Sequence, residues 1–211
     1  MAYDLYVVTD ETIGRGRSHA ELAARAVAGG ADMIQLRDKT LSSRDLLAAA
    51  FAIREVTLDA GALFIVNDRL DVALAAGADG VHLGESDLPI GHARRIAPPG
   101  FIIGASVGSV ATAVGAANEG ADYVALSPTF ATGSKDDAGP GHGLATLSAI
   151  RSAVSLPLVA IGGITAGNVG EVIAAGADGV AVISAVVGKD DVTAAARDLR
   201  SRIAAAKARS R

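Results

Sequence analysis

The sequence predicts an α/β protein, a closed (βα)8 or TIM barrel forming a single domain over residues 1–211, and three observations carry that expectation. The dipeptide Ala-Asp follows a glycine at Ala31-Asp32, Ala78-Asp79, Ala121-Asp122 and Ala177-Asp178, and a run of aliphatic residues follows each copy. The copies recur at intervals of roughly 50 residues, whereas one helix-strand unit needs only about 20 to 30, so each interval holds two units and the chain eight. The polar residues also cluster by position: Asp10, Arg37, Lys39, Asn67, Asp68, Asp87, Ser106, Lys135, Gly163 and Ser184 all fall at or just past a predicted strand end. In an eight-stranded barrel that end is the catalytic face.

Each element has a local reason. The glycine of each copy (Gly29 or Gly30, Gly77, Gly120, Gly176) ends an apolar-periodic helix in the left-handed conformation, and the Asp turns the chain into a strand. Alternation puts Ile34, Leu36, Val81, Leu83, Val124, Leu126, Val180 and Val182 toward the helices. Met33, Gln35, Arg37, His82, Tyr123, Ala125 and Ile183 then face the barrel interior. Strand 1 is expected at Leu5–Thr9, and Ser18 caps the first helix. Strand 2 ends in Gln35-Leu36-Arg37-Asp38-Lys39, and Ser42 or Ser43 caps a helix that Gly61 closes. Strand 3, Leu63–Val66, runs into Asn67-Asp68-Arg69, and the fourth strand delivers Glu85 and Asp87. Strand 5, Phe101–Ala105, ends at Ser106, with Ser109 capping a helix that carries Val110, Ala113, Val114 and Ala117. After strand 6 the Gly- and Pro-rich segment 128–143 lacks apolar periodicity, and a loop of that length in a compact barrel is usually functional. Strand 7 ends at Ile161-Gly162-Gly163, strand 8 at Ile183-Ser184, and Asp190 or Asp191 opens the last helix.

Composition narrows the function classes. Half of the 211 residues are hydrophobic but only 3% are aromatic, so small aliphatic side chains must fill the core. The absence of cysteine excludes disulfides, thiolate metal sites and cysteine nucleophiles. A net charge of −4 offers no basic field for nucleic acid, and no apolar run reaches membrane-spanning length. A cytoplasmic protein without nucleic-acid or membrane partners is expected, and a homodimer is compatible with the chain.

Several groups can carry chemistry. Gly162-Gly163 and Ile183-Ser184 follow strands 7 and 8, where exposed backbone N–H groups form the usual barrel phosphate site; tight turns alone would also use such glycines. Asp68 and Asp87 come from neighbouring loops with only Arg69 nearby to pair with them, and together suit Mg2+, although a capping Asp68 and a surface Asp87 would read the same way in isolation. Arg37, Lys39 and Lys135 converge on that end, as a polyanion bridged to the metal requires. His82 points inward at mid-barrel and reads as a hydrogen-bonded core histidine. His142, in the long loop, is the histidine to test. No Ser/His/Asp order or HExxH helix supports a hydrolase.

These motifs resemble the thiamine phosphate synthase family over nearly the whole chain: QLRDK at Gln35–Lys39, VNDR at Val66–Arg69, GADGVHLG with Asp87 downstream, Ser106, T-x-S-K at Thr132–Lys135, DAGP at Asp137–Pro140, AIGGI at Ala160–Ile164, and Val182-Ile183-Ser184. The resemblance implies a transferase that joins an aminopyrimidine diphosphate to a thiazole phosphate with release of diphosphate. Gln35, Arg37, Lys39, Asn67, Ser106 and Lys135 would hold the pyrimidine substrate, with Arg37, Lys39, Lys135 and Ser106 acting in catalysis. Asp68 and Asp87 would bind Mg2+, and Thr132, Gly133, Ser134, Gly163, Ile183 and Ser184 the thiazole phosphate. Glu85-Ser86, Gly108 and Ser127 depart from the family pattern without removing a metal ligand. The rival readings are a thiazole tautomerase of the same superfamily, a non-catalytic barrel that binds phosphorylated ligands, and a sugar-phosphate isomerase, which lacks a paired acid and base here.

Overall fold

What makes the repeat a repeat is a clamp at the bottom of the barrel. In the computed structural model, which describes residues 3–134 and 139–209, each repeated Asp grips the first residues of the preceding strand twice. Its backbone N–H donates to the carbonyls of Leu5 (from Asp32), Phe64 (Asp79), Ile103 (Asp122) and Leu158 (Asp178) at 2.7–3.0 Å. Its carboxylate accepts the N–H of those same residues, again at 2.7–3.0 Å. An arginine closes each clamp, Arg200, Arg54, Arg94 and Arg151 in turn. The Asp therefore does more than start its own strand, because it ties that strand to its neighbour.

Across the described residues the clamped strands are β1 (Leu5–Thr9), β2 (Met33–Leu36), β3 (Leu63–Asn67), β4 (Gly80–Leu83), β5 (Ile102–Val107), β6 (Tyr123–Leu126), β7 (Leu158–Ile161) and β8 (Gly179–Val182). They are parallel and close in chain order, β8 pairing back onto β1. The helices between them are α1 (His19–Ala28), α2 (Ser43–Ala60), α3 (Leu70–Ala75), α4 (Ile90–Ile96), α5 (Val110–Asn118), α6 (Gly143–Ala153) and α7 (Val169–Ala174), with α8 (Val192–Arg209) last. Ser18, Ser42 and Ser109 cap α1, α2 and α5 as expected, and Asp191 accepts the Ala194 N–H at the start of α8. The repeat glycines Gly30, Gly77, Gly120 and Gly176 all have positive φ, and Gly29 does not.

The structure corrects the sequence reading in two elements. Val110 and Val114 are more than one-third exposed, and α5 instead packs through Ala113 and Ala116. The small residues let the helix lie close on the sheet, so the larger valines were misassigned to its inner face. Helix α4, required by the eight-unit count, had no residues assigned to it from sequence: it is seven residues long, contains Gly91, and buries only Ala93. Among the described residues no helix is long and apolar enough to cross a membrane.

The clamps carry a stability prediction. Asp79→Ala leaves the Phe64 N–H and Arg54 without their shared acceptor and should cost about 1–3 kcal/mol. Chemical denaturation checks this, and activity per folded molecule should be kept because Asp79 lies at the end of the barrel opposite the polar strand termini.

Candidate active site

A cavity of about 590 Å3 opens at the C-terminal ends of the strands. Its lining includes the predicted Arg37, Lys39, Asn67, Asp68, Asp87, Ser106, Thr132, Ser134, Gly163, Ile183 and Ser184, so residues from seven strand ends meet in one mouth. Two expected residues do not line it. Gln35 is buried a layer below and donates to the Tyr6 hydroxyl, and Gly133 lies outside the wall while its neighbours Thr132 and Ser134 form it. Lys135 lies outside the described residues, as do 136–138.

One side of the cavity is ionic. Asp68 follows β3 with φ of 61°, a conformation uncommon for a residue with a side chain, and its N–H is held by the His82 carbonyl at 2.8 Å. Asp87 is fixed by the Gly84 N–H, which donates to Oδ2 at 2.7 Å. The two carboxyl groups are in hydrogen-bonding contact. Burial first, and then contact with and repulsion from Asp87, push the Asp68 carboxyl up to about 6, while Lys39 and Arg37 pull it down. Arg69, expected as a neighbouring cation, is turned away to Asp71 and Ser43. Arg37 is paired with Asp10 at 3.4 Å, both side chains mostly buried, which aims a fixed cation at this side. Asp178 sits in its clamp at the other end of the barrel, so Asp10 and Asp178 do not form the acid and base pair that a sugar-phosphate isomerase needs.

The opposite side is built from neutral donors. Gly162 and Gly163 both have positive φ, and a Cβ on either would come within 2.7 Å of the segment after β6, at Pro128 or at Phe130 and Ala131. Only glycine allows that approach. Asn168 secures the turn by donating to the Gly163 carbonyl at 2.9 Å. After β8 a single helical turn forms as the Val186 and Val187 N–H groups donate to Ile183. Among the described residues the N–H groups of Gly163, Ile164, Ser184 and Ala185 find no protein acceptor, and all four residues line the cavity. Ser134 and Ser184 meet at 3.1 Å between them. This is an oxyanion cradle of the barrel type.

Sequence reasoning missed Lys189, which lines the cavity from the loop after β8. Arg17 holds that loop by donating to the carbonyls of Val187 and Lys189 at 3.2 and 2.8 Å. A lone lysine in a polar Gly-Lys-Asp-Asp run carries no local signal, and only the turn that follows Ile183 brings it to the mouth. His82 is the core histidine expected, with Nδ1 2.9 Å from the Tyr123 hydroxyl and Nε2 2.9 Å from Ser106. Its ring also touches the cavity. The ring of His142 lies 3.0 Å from where a Gly108 Cβ would be, so it covers the end of β5 without lining the cavity. Glu85, Ser86 and Ser127, three of the departures from the family pattern, all line it.

Comparison with known proteins agrees with this geometry. The family model described as thiamine monophosphate synthase matches residues 5–186, which covers every strand and all of the cavity lining except Lys189. The chain belongs to the thiamine monophosphate synthase family. It is 82% identical to the thiamine-phosphate synthase of Methanoculleus marisnigri over 211 residues, the full length of both chains. It is 64% identical to that of Methanoregula boonei over 98% of this chain and 96% of the relative. Among solved structures it superposes on a thiamine phosphate pyrophosphorylase from Pyrococcus furiosus with a TM-score of 0.90 and 43% identity, over 97% of this chain and 96% of that one. As a member of the thiamine monophosphate synthase family, the chain is a transferase of thiamine biosynthesis that acts on small molecules.

Proposed function

We propose that the chain joins 4-amino-2-methyl-5-(diphosphooxymethyl)pyrimidine to a thiazole phosphate by Mg2+-assisted dissociative substitution, releasing diphosphate and giving thiamine phosphate. The observation that supports this most is the polarity of the cavity at the strand C-termini. A carboxylate pair with fixed cations stands on one side and a cradle of neutral N–H donors on the other, which suits two different phosphorylated substrates side by side. The donor set fits Mg2+. Two carboxylates pressed together are relieved by a hard dication, which needs only one or two of them when water and phosphate oxygens complete its shell. Among the described residues no third acidic residue or histidine joins them in a metal-binding group.

When bound, Mg2+ would neutralise charge on the departing diphosphate. Arg37 and Lys39 add cationic partners to that group, with Lys135 as a third by family resemblance, and Asn67 and Ser106 add neutral ones. The N–H cradle holds the thiazole phosphate. A thiazole ring nitrogen already carries its lone pair, so the protein has to position it and no general base is required. The electron-rich pyrimidine can then bear positive charge at its methylene as the bond to diphosphate breaks.

Incubation with both precursors and Mg2+ tests the reading. Thiamine phosphate and an equal amount of diphosphate should form, and a chelator should stop both. Isomerisation of the thiazole without diphosphate release would instead assign a tautomerase. Lys189 adds a narrower test: it is the cation on the cradle side among the described residues. Lys189→Ala should raise KM for the thiazole phosphate about tenfold and leave KM for the pyrimidine unchanged. We also propose a homodimer, whose second copy would cover Phe51 and Leu58, exposed two turns apart on α2. Sedimentation should show a dimer, and a monomer would contradict it.

A further inference from the structure

The cavity's polar wall continues downward into the barrel as a line of hydrogen bonds. Gln35 on β2 donates its side-chain amide to the Tyr6 hydroxyl on β1. Tyr6 meets the Tyr123 hydroxyl on β6 at 3.1 Å, Tyr123 meets His82 Nδ1 on β4 at 2.9 Å, and His82 Nε2 meets Ser106 Oγ on β5 at 2.9 Å. Five strands thus contribute one group each, and the line ends at a residue of the mouth. Tyr6 and Tyr123 are essentially inaccessible to solvent, and burial pushes both phenols up, so each keeps its proton.

Proton counting gives the line a direction. An amide N–H can only donate, so the Tyr6 oxygen accepts from Gln35. Its own proton must find an acceptor, and among the described contacts that acceptor is the Tyr123 oxygen. The Tyr123 proton then goes to His82 Nδ1, which fixes the neutral imidazole with its proton on Nε2. That proton is donated to Ser106 Oγ. The Ser106 hydroxyl proton is therefore left to point into the cavity. With Gln35 turned end for end, every bond would reverse, the proton would sit on Nδ1, and Ser106 would offer the cavity only lone pairs.

The packing fixes the middle of the line in place. A Cβ at Gly104, on β5, would lie 2.0 Å from the Tyr123 ring, so the ring occupies space that only glycine leaves. His82 stacks on the same ring with centroids 5.6 Å apart. Tyr123 is thus placed by sterics on one side and by the imidazole on the other.

We propose that Tyr6 and Tyr123 are positioning residues that, starting from Gln35, set the tautomer of His82 and make Ser106 a hydrogen-bond donor to the substrate. The donor matters because a diphosphate offers acceptors only. This use of Ser106 rests on its proposed place beside the pyrimidine diphosphate, whereas the tautomer does not.

The experiment reads the two separately. In the substrate-free protein labelled with nitrogen-15 at histidine, His82 should show a protonated Nε2 and an unprotonated Nδ1. The opposite tautomer overturns the proposal whatever reaction the protein catalyses. Tyr123→Phe keeps the ring and removes the hydroxyl. It should leave His82 in mixed tautomers and lower kcat about tenfold, with KM for the thiazole phosphate unchanged. A Tyr123→Phe protein that is folded, with the His82 tautomer and kcat both unaltered, also overturns it. If this variant does not fold, the labelled unsubstituted protein still decides the tautomer.

Discussion

Asp68→Asn is expected to lower turnover roughly a hundredfold or more while leaving the fold intact. Asparagine is the informative substitution because φ at this position is 61°, a conformation that Asn tolerates and most other side chains resist. It keeps the shape and the backbone bond to His82 and removes only the charge. The loss should appear in kcat at saturating Mg2+, since the missing interaction is with a group whose negative charge grows as the bond breaks. Turnover and Mg2+ dependence that both match the unsubstituted protein would show the carboxylate pair to be structural.

The same carboxyl has a pH signature. Its pKa in the metal-free folded protein is up at about 6, above the ordinary carboxylate value near 4. The folded state therefore binds this proton more tightly than the unfolded one. The resulting stabilisation is complete below about pH 4 and is lost as the pH rises through about 6; above that, the crowded pair is a net cost. Metal-free Asp68→Asn should consequently be no less stable than the parent at pH 7 to 8. Protons and Mg2+ compete for the pair, so apparent Mg2+ affinity should fall as the pH drops below about 6. An affinity flat from pH 5 to 8 would contradict the placement of the metal.

The second large effect concerns the bond that breaks. Apart from His82, which the tautomer proposed above makes a donor to Ser106, none of the described lining residues stands as a general base beside a nucleophile, and the groups present favour departure: Arg37 and Lys39 beside a carboxylate pair that suits Mg2+. If the pyrimidine methylene carries positive charge in the transition state, an electron-withdrawing substituent on the ring should slow the chemical step by orders of magnitude and leave binding nearly unchanged. Single-turnover kinetics with such an analogue separate the two. An unaltered chemical step would mean concerted displacement. Shortening the loop over 128–143 should raise hydrolysis to the pyrimidine alcohol, because the short-lived cation would then meet water.

Much of this was legible in the sequence because the repeat constrains it. Four copies of one dipeptide set the strand count, and alternation from each Asp assigned Gln35, His82 and Tyr123 to the interior, where Tyr6 links Gln35 to the other two. The ionic side was legible because Asn67 ends a strand, Arg37 and Asp68 directly follow one, and Asp87 lies four residues beyond another. Lys189 was not, because it reaches the cavity through the geometry of the turn after Ile183. Gln35 was placed on the correct face but one layer too high, since alternation gives the face of a residue and not its depth in the barrel. The second role of the repeated Asp, gripping the neighbouring strand, depends on contacts across strands that no local pattern encodes.

The shared-metal site is tested most directly with Mn2+ in place of Mg2+, followed by phosphorus NMR of added diphosphate. Mn2+ and the protein together should broaden the diphosphate signal far beyond Mn2+ alone, and Asp68→Asn should remove the excess. Broadening that is the same with the parent protein, the variant and no protein would mean that Asp68 and Asp87 do not hold a metal against the leaving group.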